Sequence, residues 1–291
     1  MAKAPMAPQV VSEDELDGEE EIAVGVRLRR DTVTDEARGP SRAVDLSGQP
    51  RVVVLPGRGR VGKSTFIRWA AERAASASRP VILADLDRTN ATLASYFDGV
   101  QRPEEGDDAT TGRWLERLLQ HAGQKKLSAF IDLGGGDTSF TRLAAEVPDL
   151  ADAVESGGAK VVAVYMLGPQ TDDLAPLATL EAAGFQPTAT ALVLNEGLVP
   201  AGQTRSGAFA RVIRHSAFRA AVERGAMPLW MPRLEPAAEI EARRVSFASA
   251  RDGIAREGRK QTPIGPFDRS RIRRWLGDMD REMSDIATWL P

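Results

Sequence analysis

The sequence lacks cysteine altogether and contains only two histidines, His121 and His215. Without cysteine there are no disulfides, cysteine-ligated zinc sites or iron–sulfur clusters. Two histidines are too few for us to expect a histidine-based metal site or catalytic triad. No apolar run approaches the roughly 20 residues that a membrane-spanning helix needs. Lys3 is not followed by the apolar core of a secretory signal, so we expect a cytoplasmic protein.

The chain has 291 residues, 42% of them hydrophobic, which suits one large α/β domain or two small ones. From Arg51 onward, short β-branched runs alternate with stretches of helical spacing. The predicted strands are RVVVLPG, RPVILADLD, LSAFIDLGGGD, AKVVAVYMLGP, TATALVLNE and PLWMP. The predicted helices include the one after the first strand and the segments 111–123, 172–185, 209–225 and roughly 268–290. This alternation predicts an α/β fold, a mostly parallel twisted sheet flanked by helices on both faces.

The clearest motif is PGRGRVGKST, which runs from Pro56 to Thr65 between a predicted strand and a predicted helix. It has the spacing of a phosphate-binding loop, or P-loop. Its backbone N–H groups and the dipole of the next helix would hold phosphates, and Lys63 would reach the β- and γ-phosphates. The Ser64 hydroxyl would bind Mg²⁺. The predicted nucleotide contacts in the loop are Gly57, Arg58, Gly59, Arg60, Val61, Gly62, Lys63, Ser64 and Thr65.

Carboxylates follow two further predicted strands. Asp85 and Asp87 come after one strand, and Asp132 ends another. A single acid at such a place usually caps a helix, but three acids beside a P-loop favour magnesium coordination at the carboxyl edge of the sheet. Asp137 follows three glycines, where either a γ-phosphate-sensing switch or a tight turn would fit.

These motifs together resemble the deviant Walker A ATPases of the ParA/MinD class, over roughly residues 50–250. Arg58 stands where that family has an extra lysine, and Arg60 replaces a glycine of its loop. The segment DLDRTNATL is similar to a second family motif: Asp85, Asp87 and Asn90 match it, while Arg88 and Thr89 depart from it. The resemblance implies the SIMIBI class of P-loop NTPases, with ATP and Mg²⁺ as cofactors.

The resemblance also implies roles for individual residues. Asp87 would orient the water that attacks the β–γ bond, while Lys63 and Arg58 would neutralise charge on the phosphoryl oxygens. Ser64, Asp85 and Asp132 would hold Mg²⁺, the two aspartates through water. Asn195 and Pro232 would lie near the adenine. Arg58 would reach across an ATP-sandwiched homodimer to the partner's phosphates. The two loop substitutions leave open whether hydrolysis is slow.

Charge is distributed unevenly under a net value of −3. Residues 1–25 contain seven acids, and residues 201–275 contain sixteen Arg and Lys against seven Asp and Glu. Such a basic segment suits a polyanionic or acidic partner, or is a solvated arginine-rich surface. In a partition ATPase it would bind DNA without sequence preference. The candidate DNA contacts are Arg211, Arg214, Arg219, Arg243, Arg244 and Arg251.

The predicted organisation has three parts. Residues 1–48 are an acidic, disordered tail, 49–255 a P-loop ATPase domain, and 256–291 a loop and C-terminal amphipathic helix. An apolar stripe on that helix would pack on the domain or on a dimer partner; membrane binding is less expected, since residues 268–285 balance five Arg against five acids. The stripe contains Ile272, Trp275, Leu276, Met279, Met283, Ile286 and Leu290.

The predicted function is a ParA-type switch ATPase in partition or positioning, cytoplasmic or on the nucleoid. A ParB-like or adaptor protein would stimulate its hydrolysis. Three alternatives stay open: a conjugation or plasmid-stability ATPase of the TraL/StbB kind, suggested by IDLGGGDTSF; a MinD-like membrane-associated ATPase; and a ligase or kinase similar to dethiobiotin synthetase, for which no second-substrate motif is found.

Overall fold

The structure is a computed structural model that describes residues 44–87, 92–104, 107–256 and 261–291. Most of the predicted acidic tail lies outside these residues, as do Arg88, Thr89 and Asn90. Within the described ranges there are six strands and ten α-helices. The strands are β1 (Arg51–Leu55), β2 (Val81–Asp85), β3 (Ser128–Asp132), β4 (Lys160–Leu167), β5 (Ala189–Asn195) and β6 (Met227–Met231).

The six strands form one sheet in the order β2-β3-β1-β4-β5-β6, and every neighbouring pair is parallel. The strands are apolar on both faces, as expected of a parallel sheet covered on both sides. In β1, for example, Val52 and Val54 face one core cluster, whereas Val53 and Leu55 face the other. All the carboxyl ends therefore meet at one edge, which confirms the predicted fold class.

Helices cover both faces. The helices are α1 (Lys63–Ser76), α2 (Asp108–Lys125), α3 (Ser139–Glu146), α4 (Leu150–Ser156), α5 (Ala175–Ala182), α6 (Arg205–Arg214), α7 (Ser216–Glu223), α8 (Ala237–Arg243), α9 (Phe247–Asp252) and α10 (Pro266–Glu282). Helices α2 to α7 bury apolar residues against one face of the sheet. Helices α1, α8, α9 and α10 bury theirs against the other. The arginines of α6 and α7 therefore lie over one face of the sheet, and those of α8 and α9 lie over the other.

The segment 209–225, predicted as one helix, is two helices that meet at His215. His215 has extended backbone angles (φ −66°, ψ 139°), and its Nδ1 accepts a hydrogen bond from the Ala217 N–H, so it caps α7. The first part of the predicted helix 172–185 is a 3-10 turn, Thr171–Leu174. The last predicted helix ends at Glu282 and is followed by a 3-10 turn, Ser284–Ile286. Local capping interactions determine where these helices break, and the spacing of apolar residues in the sequence does not reveal such interactions.

The apolar stripe of the C-terminal helix packs on the body of the domain. Ile272, Trp275 and Met279 are buried in the same cluster as α1 and α9. The Trp275 Nε1–H donates to the Pro232 carbonyl oxygen (2.9 Å). The stripe is therefore occupied by intramolecular contacts. None of the helices in the described residues is both long and apolar enough to cross a bilayer.

Arg51 ties together the two ends of the described chain. Its guanidinium donates to the carbonyl oxygens of Leu46 (2.8 Å), Gln49 (2.7 Å) and Leu290 (2.9 Å). Leu46 is buried, and the Trp289 Nε1–H donates to the Val44 carbonyl. The packed body thus includes Val44 to Leu46, ahead of the boundary at 49 that composition predicted.

We expect Arg51→Met to lower the free energy of unfolding by about 2–3 kcal/mol, because two buried carbonyls and one partly buried carbonyl lose a charged donor while the aliphatic stem is kept. Urea denaturation measures this. Arg79→Met, at an exposed position, is the control and should change stability by less than about 0.5 kcal/mol. Equal effects of the two substitutions would contradict the role of Arg51.

Candidate functional site

The P-loop connects the end of β1 at Leu55 to the start of α1 at Lys63. Gly62 has φ 101°, and a Cβ there would come within 2.5 Å of the Asn195 Nδ2, so only glycine fits. Within the described residues, no backbone N–H from Gly59 to Thr65 donates a hydrogen bond; the first that does is Phe66, to the Gly62 carbonyl (3.0 Å). The loop therefore presents a run of free N–H donors at a helix N-terminus, which is the geometry that binds phosphate.

Lys63 is folded back onto this loop. Its Nζ donates to the carbonyl oxygens of Gly57 (3.0 Å) and Arg58 (2.9 Å), and the residue is 7% exposed. Burial lowers the pKa of Lys63, and the nearby carboxylates of Asp132 and Asp87 oppose that shift. The Lys63 ammonium group thus interacts with two carbonyl oxygens of the loop, and it lies near the carboxylates at the carboxyl edge of the sheet.

Ser64 and Asp132, both predicted to hold Mg²⁺, lie within hydrogen-bond distance of each other. The Ser64 hydroxyl donates to the Asp132 Oδ2 (2.8 Å). Asp132 is 3% exposed, and burial raises its pKa to about 6, against the opposing effects of Lys63 and Ser64. A buried, incompletely compensated carboxylate beside a hydroxyl is a hard-oxygen pair that a divalent cation suits.

Asp85 stands directly beside Asp132 in the sheet register but has local partners. Its Oδ1 accepts from the Asp87 N–H (3.0 Å), and its Oδ2 accepts from the Leu93 N–H (3.3 Å). Burial raises the pKa of Asp85, and the two N–H donors oppose that rise. Both oxygens thus hold the chain that follows β2, and contact with a metal-bound water stays a prediction.

Asp87 and the three-glycine turn after β3 lie against each other. A Cβ on Gly134 would come within 2.9 Å of the Asp87 Cα, and a Cβ on Gly135 within 2.3 Å of the Gly59 nitrogen. Backbone therefore packs directly on backbone, which explains two of the three glycines; at Gly136 a Cβ would meet nothing within 4 Å. The spacing of IDLGGGD indicated a turn, but sequence reasoning missed its contact with the P-loop.

Asp137 closes that turn. Its Oδ1 accepts from the Ser139 N–H (2.9 Å) and the Ser139 hydroxyl (2.6 Å), which anchors the start of α3. Its Oδ2 is buried and has no hydrogen-bond partner among the described residues. The contacts that Asp137 makes are those of a structural turn; a phosphate-sensing role stays a prediction.

Arg58 pairs within its own chain. Its Nη1 lies 3.7 Å from the Asp172 Oδ2 and 3.6 Å from the Asp173 Oδ1, and half of its side chain is exposed. Asp173 is nearly buried and also accepts from the Gly168 N–H (3.0 Å). Sequence reasoning missed these acids, although they follow β4 and so belong to the same sheet edge as Asp85 and Asp132.

Arg60 has a left-handed backbone, with φ 65°, and an exposed side chain. A residue with a Cβ costs about 1 kcal/mol in this conformation, where the resembled family has glycine. Val61 beside it is buried and fixes the loop to the core, while Gly57, Gly59 and Thr65 complete the strand–loop–helix connection.

Asn195 and Pro232 lie at the same sheet edge with their polar groups already engaged. The Asn195 Nδ2 donates to the Val61 carbonyl (2.9 Å), and its Oδ1 accepts from the Gly197 N–H (2.8 Å). The Pro232 carbonyl accepts from Trp275, as described above. Asn195 thus supports the P-loop through its hydrogen bond to Val61. Contact of Asn195 or Pro232 with a nucleotide base stays a prediction.

The structure does not bring the six candidate DNA-binding arginines onto one surface. Arg211, Arg214 and Arg219 are exposed on α6 and α7, over one face of the sheet. The other three belong to the α8–α9 region over the opposite face, where Arg243 pairs with Glu239 and Arg251 with Asp252. Only the group on α6 and α7 combines exposure on adjacent helices with the lack of any ion pair among the described residues. That group is Arg211, Arg214 and Arg219.

Comparisons with known proteins add little at the sequence level. No protein-family model matches this chain, and no curated protein matches it. Among solved structures it is similar to the MinD cell division protein of Aquifex aeolicus, with 13% identity, a TM-score of 0.40, and coverage of 78% of this chain and 97% of that one.

Two FtsY structures are also similar to it. The chloroplast FtsY of Physcomitrella patens has 13% identity, a TM-score of 0.42, and coverage of 83% of this chain and 69% of that one. The signal recognition particle receptor FtsY of Elizabethkingia anophelis, in complex with GDP, has 18% identity, a TM-score of 0.42, and coverage of 66% of this chain and 60% of that one. Likenesses this distant carry no argument about activity. The chain's own parallel sheet and its loop between β1 and α1 give it the α/β fold of the P-loop NTPases.

We expect Gly135→Ala to weaken nucleotide binding at the P-loop by at least about tenfold, because the added Cβ would displace the loop backbone at Gly59. Gly136→Ala is the matched control, since its Cβ meets nothing, and should bind within about twofold of wild type. Titration with a fluorescent ATP analogue measures both. Equal affinities for the two variants would contradict the contact.

A second prediction concerns Asp132, whose folded-state pKa of about 6 lies above the ordinary 3.8. The fold favours the protonated carboxyl, so the stability this gives is complete below pH 3.8 and is lost as the pH rises through about 6. Asp132→Asn cannot ionise and still offers an acceptor to Ser64. We therefore expect the variant to gain stability over wild type between about pH 4 and 7, by up to about 3 kcal/mol. Urea denaturation without nucleotide or metal measures this. A stability difference between Asp132→Asn and wild type that stays constant over this pH range would contradict the prediction.

Proposed function

We propose that this protein binds MgATP at the P-loop, hydrolyses its β–γ bond slowly, and uses the cycle as a dimerisation switch. The observation that carries the proposal is the run of unused N–H donors from Gly59 to Thr65 at the start of α1. Lys63 already lies in the loop and needs only to exchange two carbonyl acceptors for phosphate oxygens. Such a rearrangement replaces neutral acceptors with charged ones and strengthens both hydrogen bonds.

Magnesium fits the residues present. Among the described residues there is no cluster of three or more His, Asp or Glu side chains that could hold a metal alone. Mg²⁺ bound through one or two protein oxygens plus substrate phosphates does not need one. Ser64 and Asp132 would hold it, and the ion would supply charge neutralisation at the phosphates. Asp87, whose backbone packs against Gly134, would position the attacking water, and Lys63 would neutralise charge on the leaving phosphate oxygens.

Arg58 is the residue through which nucleotide binding would drive dimerisation. Its guanidinium is half exposed and paired with Asp172 and Asp173 at 3.6–3.7 Å, beyond ordinary hydrogen-bond length. A partly solvated pair of this kind contributes little, so the phosphates of a nucleotide across a dimer interface would compete well for the same group. ATP-driven dimerisation would therefore include a change of partner for Arg58, from its own acids to the other subunit's nucleotide.

As the partner of this switch we propose DNA, bound without sequence preference through Arg211, Arg214 and Arg219. These three exposed arginines lie on adjacent helices with no acid paired to them among the described residues. Phosphate contacts of this kind position a protein on DNA without reading sequence. A stimulating ParB-like or adaptor protein belongs to the same proposal.

A second candidate is an ATPase of the plasmid-stability or conjugation kind that acts on a protein partner. The division of the basic residues between the two faces of the sheet favours it, since a small basic patch suits an acidic protein segment as well as DNA. Membrane attachment is not proposed, because the apolar stripe of α10 is buried on the domain.

The experiment follows the mass of the full chain by light scattering with ATP, ADP or no nucleotide. We expect a dimer with ATP only. Arg58→Ala should bind ATP as a monomer, whereas Arg60→Gly, which removes a charge from the same loop and suits its positive φ, should dimerise like wild type. A wild-type monomer with bound ATP would refute the switch while leaving nucleotide binding intact.

Duplex DNA of unrelated sequence is then added at two salt concentrations. We expect ATP-dependent binding that weakens with salt and falls at least about tenfold when Arg211, Arg214 and Arg219 are replaced by alanine. Arg243→Ala, at an ion-paired position on the opposite face, is the control. An ATP-dependent dimer that ignores DNA would reject the DNA proposal in favour of the protein-partner candidate.

A further inference from the structure

A cavity of about 480 Å³ lies beside β4 and β5, and none of its lining residues belongs to the P-loop. It is bounded by α5, the loop that leads into β5, and the end of α7, whereas the P-loop follows the carboxyl end of β1. Its size falls within the range of small-molecule sites in proteins. Leu177, Phe185 and Ala221 contribute apolar walls that are nearly fully buried.

Two hydroxyl groups line this cavity from the sheet. Tyr165 on β4 and Thr190 on β5 lie on adjacent strands, since Thr190 pairs with Ala163, two residues before Tyr165. Residues two apart on a strand share a face, so both side chains belong to the same layer. Neither hydroxyl has a hydrogen-bond partner among the described residues, and neither is sealed off from the cavity.

Buried tyrosines normally find a hydrogen-bond partner within the protein, whereas the Tyr165 hydroxyl opens into the cavity and has none among the described residues. Tyr165 is only 2% exposed. Burial, together with the charge of Glu181, raises the pKa of Tyr165, so its hydroxyl stays protonated and able to donate. The cavity therefore offers a neutral donor deep inside and a second hydroxyl beside it.

The charged residues in the cavity wall compensate each other. Arg224 Nη2 donates to the Glu181 carboxylate, so this part of the wall carries a pair and no net charge. A charged ligand would meet no free counter-ion here and would lose hydration on entry. An apolar body with one neutral polar head matches both the apolar walls and the two hydroxyls.

We propose that this cavity is a second ligand site, which binds a small neutral amphiphile whose carbonyl or amide head accepts a hydrogen bond from Tyr165 and contacts Thr190. This site is separate from the proposed nucleotide site and independent of the function proposed for it. Trp289 also lines the cavity, and its Nε1–H donates to the Val44 carbonyl, so a ligand here would lie against the contact between the two ends of the described chain.

The test uses the full chain labelled with 5-fluorotryptophan, which gives one ¹⁹F resonance for each of its five tryptophans. The probe is N-phenylbutanamide, a neutral anilide. We expect a saturable shift of the Trp289 resonance, assigned with Trp289→Phe, at concentrations of about 1 mM or below. The charged analogue 4-phenylbutanoate should bind at least about fivefold more weakly.

Two near-isosteric variants assign the head group. Tyr165→Phe and Thr190→Val should each weaken the anilide by about fivefold to tenfold, the effect of one hydrogen bond. Because the Tyr165 hydroxyl has no hydrogen-bond partner among the described residues, Tyr165→Phe should leave the melting temperature of the free protein unchanged or raised. Tyr96→Phe, at the only other tyrosine, is the control for affinity.

Three results would overturn the proposal. The first is the absence of a saturable Trp289 shift in the full chain with the anilide. The second is binding by Tyr165→Phe and Thr190→Val at wild-type affinity. The third is tighter binding of 4-phenylbutanoate than of the anilide, which would show that the site selects a charge.

Discussion

The candidate site depends on a P-loop that is held in place through its carbonyl groups and leaves its N–H groups unused. Lys63 binds the carbonyls of Gly57 and Arg58, and Asn195 binds that of Val61. Gly135 supports the loop by backbone contact alone. Because these anchors use acceptors and not donors, the N–H groups from Gly59 to Thr65 make no hydrogen bond among the described residues, as a phosphate-binding loop requires.

The parallel sheet supplies the charges around that loop. Six strands that run in one direction bring their carboxyl ends to one edge, and the acids that follow β2, β3 and β4 gather there. Asp132 is short of compensation, as its raised pKa shows, and Asp173 is paired only loosely with Arg58. In the proposed function, Mg²⁺ would compensate the Asp132 carboxylate, and this favours the ligand-bound state.

The sheet, the loop and the place of Asp132 at the sheet edge were predictable, because each depends on a short stretch of sequence: a β-branched run, a glycine spacing and an acid at a strand end. Contacts between distant segments were not. Nothing near Gly135 indicates that it touches Gly59, and nothing near Asn195 indicates that its amide holds Val61. The arginines of α6 to α9 are close in sequence, yet the crossover through β6 sends them to opposite faces. The helix break at His215 depends on a single cap.

Nucleotide binding at the P-loop can be measured by calorimetric titration of the full chain and of Lys63→Ala with a non-hydrolysable ATP analogue, with and without Mg²⁺. The account predicts binding by wild type that requires magnesium for full affinity and falls at least about hundredfold in the variant, since a buried charged contact to phosphate is lost. Wild type that binds no nucleotide, or Lys63→Ala that binds it equally well, would contradict the account.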